Sequence, residues 1–520
     1  MSASDRGVAG KVASNTLWNL VHSLVSAVAG IVVSALTARY LGTTEFGVLS
    51  YIVWLTGIVA TITDLGLDQV IRKYVPGWFH RADQRSWALR VVGRAIALQL
   101  AMAGTLIAGL LALFPWWSRS LTIAHTRLEM VMAIGLVSVL PVVVSRCVST
   151  FLRSIQSTRD LAMVTIATQA TNLTLVAAAI VLRLPLVALV TVSLIAQMML
   201  AAGLIVALRR NRGEVEPEAG PWPAREMRRY AVIAYANVLL QQVVWTRSET
   251  FFLGWFSPAR EVGFYGLAYG IAGMIGGLIG VSQQALFAAQ FELLAGGHEA
   301  RSDRLASLSI KYLGVVFLPA CLTIWFFMDS IVPLLYGSAY QTVAQVFPFV
   351  LFGIVVATIS NPVAIKIHLS NRKFAGTLGI GLVGAVINIT LDLLLIPGHH
   401  ALGAAWANCA SQVCVVGIGM TFVAVVSPVR LDLERIGAVV VVNLLLAGLF
   451  GLVLSRADVL ALKLAVTAVA VAVYLPWLTA WGAFDETDRG LLAALEASSP
   501  PGLRPMLRWL RSSIGGAAAA

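Results

Sequence analysis

A chain of 520 residues that is 58% hydrophobic and only 12% charged does not have the make-up of a soluble domain, where about a quarter of residues are charged. Its mean hydropathy of +0.84 reads as membrane protein, and the long apolar runs leave no segment for a sizeable soluble domain. The net charge of +12 would suit nucleic acid, but Lys and Arg crowd the loops on one side of the apolar runs. That asymmetry orients polytopic proteins, so nucleic-acid binding is set aside.

A hydrocarbon core about 30 Å thick needs roughly 20 apolar residues per helix. That ruler predicts fourteen spans, at 17–38, 47–70, 92–114, 129–151, 161–182, 185–207, 231–254, 262–286, 311–328, 342–366, 375–396, 401–426, 436–455 and 460–482. The fold class is therefore an all-α polytopic membrane protein.

Two phrases occur twice, each pair 216 residues apart. Glu45-Phe46-Gly47 returns as Glu261-Val262-Gly263, and Asn172-Leu173-Thr174-Leu175 as Asn388-Ile389-Thr390-Leu391. Duplication among apolar runs predicts two pseudo-symmetric six-helix lobes, the architecture in which one bundle rocks against the other. The lobes are residues 1–208 and 230–426, joined by a basic, proline-bearing linker at 209–229 that reads as a cytoplasmic crossover. Helices 13 and 14, within 427–482, have no counterpart in the first half. The tail, 483–520, carries a short basic amphipathic helix (LRPMLRWLRSSI) suited to the inner leaflet. Both termini are expected in the cytoplasm.

Polar side chains inside spans are expected to face a bundle interior or a wet cavity. Asn15, Asn19, His22, Ser26 and Thr37 share one side of the first span, and Asn237, Gln241 and Ser248 one side of the seventh. These are the matching first helices of each lobe. Cavity lining and plain helix–helix hydrogen bonding are both open to them.

Arg146 and Arg247 lie several residues inside their spans, where a cation needs a carboxylate, water or an anionic ligand. Either a structural salt bridge or a phosphate group would answer that need, the latter through bidentate guanidinium contacts. Arg39 and Lys366 sit nearer span ends and could reach the headgroups. Among the acids, Asp64, Glu249 and Asp392 are ion-coupling candidates, for a proton or sodium. Asp392 stands where the repeat has Val176, so the shared scaffold does not require an acid there. Asp68 and Arg72, four apart, are spaced for an intrahelical pair. Glu45 and Glu261, duplicated, suit the first turns of helices. Pro141, Pro319, Pro348 and Pro362 interrupt spans and free carbonyls. The four cysteines are expected to be small buried hydrophobes. No catalytic set and no metal site is expected, His399-His400 lacking further ligands nearby.

The stretches NTLWNL, ARYLGTTEFGVLSY and TDLGLDQVIRKYVP, within residues 11–75, resemble in order and spacing the opening of Wzx-type polysaccharide flippases. That family belongs to the multidrug/oligosaccharidyl-lipid/polysaccharide exporter superfamily, with the lipid II flippase MurJ. The resemblance implies transfer of a polyprenyl-pyrophosphate-linked oligosaccharide from the inner to the outer leaflet of the cytoplasmic membrane, by alternating access. It implies no cofactor beyond a coupling ion. As partners it implies membrane lipids and the polymerase and glycosyltransferases of a polysaccharide pathway. Arg39, just before LGTTEFG, resembles an arginine near the end of the first MurJ helix. On this reading Arg39, Arg146 and Arg247 meet the pyrophosphate, while Asn19, His22, Asn237 and Gln241 meet sugars. Two alternatives stay open: a multidrug efflux antiporter of the same fold, which would want acids dominating the cavity, and a membrane glycosyltransferase or ligase, which would want a catalytic acid beside a roomy outside loop.

Overall fold

A computed structural model describes residues 3–515 apart from 80, 82–83, 124–126, 213–223, 246–247, 370–373, 427–430, 457–458 and 499–503. The described residues form helices and no strand. In chain order these are α1 (Ala3–Ile62), α2 (Leu67–Phe79), α3 (Arg85–Ala112), α4 (Phe114–Trp117), α5 (Leu128–Val137), α6 (Val139–Ser154), α7 (Thr158–Val181), α8 (Leu186–Asn211), α9 (Ala224–Trp245) and α10 (Glu249–Phe256). There follow α11 (Ala259–Ala295), α12 (Glu299–Phe326), α13 (Met328–Tyr336), α14 (Thr342–Leu369), α15 (Phe374–Val426), α16 (Leu433–Arg456), α17 (Leu460–Ala480), α18 (Glu486–Ser498) and α19 (Arg504–Gly515).

Eleven helical stretches among the described residues are long and apolar enough to cross a membrane. Two of them hold two expected spans each. The first turns at Gly42, whose φ of 72° and ψ of 176° lie where a side chain is disfavoured. The second turns at His400, φ 51°, which the Ser257 hydroxyl meets at Nδ1, 3.0 Å away. The seventh expected span falls on α9 and α10. The amphipathic tail helix is present as α19, its Arg508 and Arg511 both paired with Glu496 of α18.

The chain divides into two compact units. One takes residues 1–274, 335–350 and 378–415, the other 275–334, 351–377 and 416–520. In the first, buried side chains of α2, α3, α6, α7 and α8, including Ile71, Val75, Cys147, Phe151 and Leu204, form an apolar cluster. Of the remaining cysteines, Cys321 is buried, Cys409 is half-buried and Cys414 is exposed, so the expectation of burial fails at the last. An apolar surround is all a thiol needs there, and acyl chains supply it as well as protein does.

The second unit shows how proline-broken helices are mended. Pro319 has no N–H for the Val315 carbonyl, and the Tyr474 hydroxyl of α17 donates to that oxygen at 3.1 Å. Asn443 of α16 donates in turn to Tyr474. Pro362 frees the Thr358 carbonyl in the same way, and Gln283 Nε2 of α11 donates to it at 2.6 Å. Helices α16 and α17 are thereby tied to α12. Phe326 stacks on Phe450 with ring centroids 4.3 Å apart, and Lys463, fully buried, pairs with Asp329.

Midway along α12, Lys311 Nζ reaches Asp488 of α18 at 2.7 and 2.8 Å, both side chains almost wholly buried. Tyr312 donates to the same carboxylate, and Asp485 takes Arg435. Removing one partner strands a buried charge, so Asp488→Ala should lower unfolding stability by about 3 kcal/mol, read as a fall in melting temperature in detergent. The double variant K311M/D488L should recover most of the loss.

Candidate functional site

The second limb of α1 ends at Ile62, and the chain turns through Leu65 (φ 53°) and Gly66 (φ 73°) into α2. Asp64 makes that turn. Its carboxylate accepts the backbone N–H of Gly66 at 3.1 Å and of Asp68 at 3.2 Å, capping α2, and Gln99 adds a third bond. Beside it opens a cavity of about 420 Å³ lined by Asp64, Asp68, Gln69, Arg72, Arg146, Ser149, Thr150, Arg153 and Val238. Helices α2, α6 and α9 therefore share it.

Three guanidinium groups enter this cavity. Arg146 donates from Nη1 to the Ala60 carbonyl at 3.2 Å and the Thr61 hydroxyl at 3.3 Å, which fixes it half-buried against α1. Neither it nor Arg72 or Arg153 lies within ion-pair distance of a carboxylate among the described residues, although Asp64 and Asp68 feel the charges of Arg146 and Arg72. His22 lies within electrostatic reach of Arg153. Three fixed cations with donors to spare can hold an anion with several oxygens, and the two acids moderate the field.

A second cluster sits on α10, α11 and α15. Glu249 is 1% exposed. Its Oε1 accepts from Asn388 Nδ2 (3.1 Å) and Asn408 Nδ2 (2.9 Å), and its Oε2 from the Tyr265 hydroxyl (2.8 Å). Ser248 donates to Asn388 Oδ1, and Gln412 to Asn408 Oδ1. Asp392, one turn along α15 from Asn388, is fully buried, and neither carboxylate oxygen has a hydrogen-bond partner among the described residues. Glu249 is close enough to act on it electrostatically.

The two halves of the sequence also meet at both ends of the second limb of α1. At one end the duplicated phrases touch: a Cβ on Gly47 would stand 1.8 Å from the Ala259 carbonyl oxygen, and one on Gly263 would stand 3.1 Å from Gly47 Cα. Gly254 packs against the Tyr51 ring, and the Thr122 hydroxyl donates to the Gly254 carbonyl. At the other end Tyr235 of α9 donates to the Ile62 carbonyl at 2.6 Å. Tyr74 donates to Glu226 Oε1 at 3.0 Å, and Lys73 lies 4.0 Å from the centre of the Tyr230 ring. Burial, with Glu226 alongside, pushes the Tyr74 hydroxyl up to about 12, so it stays a donor at neutral pH. The helical part of this limb, Gly47 to Ile62, spans about 22 Å at 1.5 Å per residue. A Cβ on Gly66 would lie 2.3 Å from the Ala231 carbonyl oxygen. Gly66→Ala should therefore destabilise by about 2 kcal/mol, through backbone strain and this clash, and free Tyr74 for faster chemical labelling.

Of the residues singled out from sequence, the structure brings Arg146 and Asp64 to one cavity and Glu249 and Asp392 to one cluster. Asp64 is a helix cap that also lines this cavity. Arg39 does not reach the arginine cavity: it is exposed and donates from Nε to the Leu335 carbonyl, 2.9 Å away. Asp68 and Arg72 share the cavity without closing to an ion pair. Arg247 lies outside the described residues, as do the side chains of Asn19, Asn237, Gln241 and Lys366. Val238, next to Asn237, does line the arginine cavity. Arg72, Arg153, Asn408 and Tyr265 were missed as functional residues. The spacing of Arg146 and Arg153, seven residues apart and so on one helix face, was the available signal for the first pair. Asn408 and Gln412, four apart inside an apolar span, were the signal for the other cluster.

The described residues define an all-helical, multi-pass membrane protein. A family model described as "polysaccharide biosynthesis protein" matches residues 12–293, more than half the chain, and the protein belongs to that family. Its fold is that of the lipid II flippase MurJ in an inward closed conformation, at a TM-score of 0.67 and 12% identity, covering 89% of this chain and 97% of that one. An inward-facing multidrug resistance MATE family transporter of the MOP superfamily gives a TM-score of 0.54 at 14% identity, covering 79% and 95%. A mutant form of the Vibrio cholerae MATE transporter VcmN gives 0.55 at 14%, covering 82% and 99%. No sequence among curated proteins matches the chain.

Proposed function

We propose that this protein is a flippase, a carrier and not an enzyme, that moves a polyprenyl-pyrophosphate-linked oligosaccharide from the inner to the outer leaflet of the cytoplasmic membrane. The observation that carries the reading is the cavity of Arg72, Arg146 and Arg153. Three cations without an ion-paired carboxylate among the described residues suit a pyrophosphate, whose oxygens take guanidinium donors in pairs. The sugar headgroup then follows the cleft while the polyprenyl tail stays in lipid. The two lobes, 1–208 and 230–426, rock about this site, and the contacts at Gly47–Gly263 and at Gly66–Ala231 open in turn. Both termini face the cytoplasm on this reading, and the flipped lipid is handed to glycosyltransferases and a polymerase.

The Glu249–Asp392 cluster supplies coupling. Two carboxyl groups in one buried site favour uptake of a proton or a cation such as sodium, and the Asn388 and Asn408 amide donors hold the Glu249 carboxylate in place. A multidrug antiporter is less well supported, because the larger cavity presents three cations against two acids.

The pyrophosphate assignment is tested by titrating inorganic pyrophosphate into the purified protein. Arg146→Ala should weaken binding about tenfold, one lost charged hydrogen-bonding group being worth about 1.5 kcal/mol, and raised salt should weaken it further. Unchanged affinity in Arg146→Ala and Arg153→Ala alike would remove the assignment.

A further inference from the structure

A second cavity, of about 250 Å³, lies along the same limb of α1 but nearer Gly47. Its walls are Ile31, Val176, Leu267 and Ile271 with other apolar residues, and it is dotted with the hydroxyls of Ser34, Thr37, Ser50, Ser193 and Tyr336. No Lys, Arg, His, Asp or Glu is among the residues lining it.

The hydroxyls are oriented by their own helices. Ser34 donates to the Ile31 carbonyl, Thr37 to Val33 and Ser193 to Leu189. The Tyr336 hydroxyl lies 3.1 Å from that of Ser34, so these two bond one another, whereas Thr37 and Ser193, their donors engaged, offer acceptors to a ligand's O–H or N–H. Ser50 has no protein partner among the described residues.

One helix face joins this cavity to the arginine cavity. Ser50, Val53, Gly57 and Thr61 follow one another at three- and four-residue steps. Val53 lines the upper cavity yet is 56% exposed. A Cβ on Gly57 would meet nothing within 4 Å, and Thr61 is where Arg146 is anchored. From Ser50 to Thr61 the face runs about 17 Å, the reach of a short oligosaccharide held at one end by its phosphates.

We propose that this upper cavity is a subsite for a sugar of the lipid-linked glycan, and that it selects a neutral ring carrying an acetamido or deoxy-methyl group. The apolar wall takes the methyl, the acceptor hydroxyls take the ring's O–H and N–H donors, and the absence of any lining cation disfavours a uronic acid. This inference rests on the flippase reading and adds to it the class of sugar admitted.

The test is cysteine protection in a C409S/C414S background. In the S50C protein, saturating N-acetylglucosamine should slow maleimide labelling about tenfold, the factor expected at roughly ten times the dissociation constant. Glucuronic acid and farnesol should leave labelling unchanged. Val53→Trp, which fills the cavity from an exposed position, should abolish the protection, and Ser193→Leu provides the same test if the tryptophan variant does not fold. Equal protection by glucuronic acid, protection by farnesol, or none by N-acetylglucosamine would each overturn the proposal. In the parallel S149C protein, inorganic pyrophosphate reports the arginine cavity. Protection there, with none at S50C, would sink the sugar subsite alone. Loss of protection at S149C with sugar protection intact would instead strike the pyrophosphate assignment.

Discussion

Gly47→Ala should leave almost no correctly folded protein, whereas Gly263→Ala should be tolerated at a modest cost. The two glycines come from the same duplicated phrase and touch one another, yet their surroundings differ. A methyl on Gly47 would sit 1.8 Å from the Ala259 carbonyl oxygen and 2.4 Å from its carbon. Both are backbone atoms at the start of α11, so relief requires moving a helix. Overpacking of that kind costs about 3 kcal/mol. On Gly263 the nearest atom is 3.1 Å away, a contact that a shift of a few tenths of an ångström relieves. Size-exclusion profiles and melting curves of the two variants in detergent separate these outcomes. Equal behaviour would show that the close crossing of the two repeats does not hold the fold.

The second large effect concerns two acids that look alike in sequence. Glu249→Leu should destabilise by about 3 kcal/mol, because Asn388, Asn408 and Tyr265 each lose their acceptor in a buried site. Asp392→Leu should stabilise by about 1 kcal/mol, since a buried carboxyl with neither oxygen bonded is replaced by an apolar side chain. Both variants should lose any dependence of transport on a proton or sodium gradient. That dissociation is the mark of a functional acid: its removal firms the fold and ends the coupling. If Asp392→Leu melts lower than the parent protein, the carboxyl has a structural role and the coupling assignment falls.

Much of the architecture could be read from the chain. Apolar runs of bilayer length fall on helices, and the glycines of the repeated Glu45 and Glu261 phrases touch. The repeated tetrapeptide shows the limit. Asn388 is fully buried and bonded to Glu249 and Ser411, while the Asn172 amide oxygen has no partner. Shared residues set the helix in both repeats and left the partners to the divergent residues around it.

Charges were harder to place. Depth within a span was legible for Arg146, but its neighbours Arg72 and Arg153 sit at helix ends that read as ordinary basic loops. Only the turn at Leu65 and Gly66 brings α2 beside α6. The capping role of Asp64 was not legible because two of its partners are backbone N–H groups, which sequence does not display. Lys311 and Asp488 lie 177 residues apart, and nothing local to either announces the pair.

The account turns on phosphate-linked cargo passing the arginine cavity. Its most direct test is leaflet exchange of an undecaprenyl-pyrophosphate-linked N-acetylglucosamine in vesicles reconstituted with the intact protein. The intact chain should move the lipid to the far leaflet, and the R146A/R153A protein, equally inserted and equally stable, should do so at least about tenfold more slowly. Exchange at the same rate in both proteins would contradict the account.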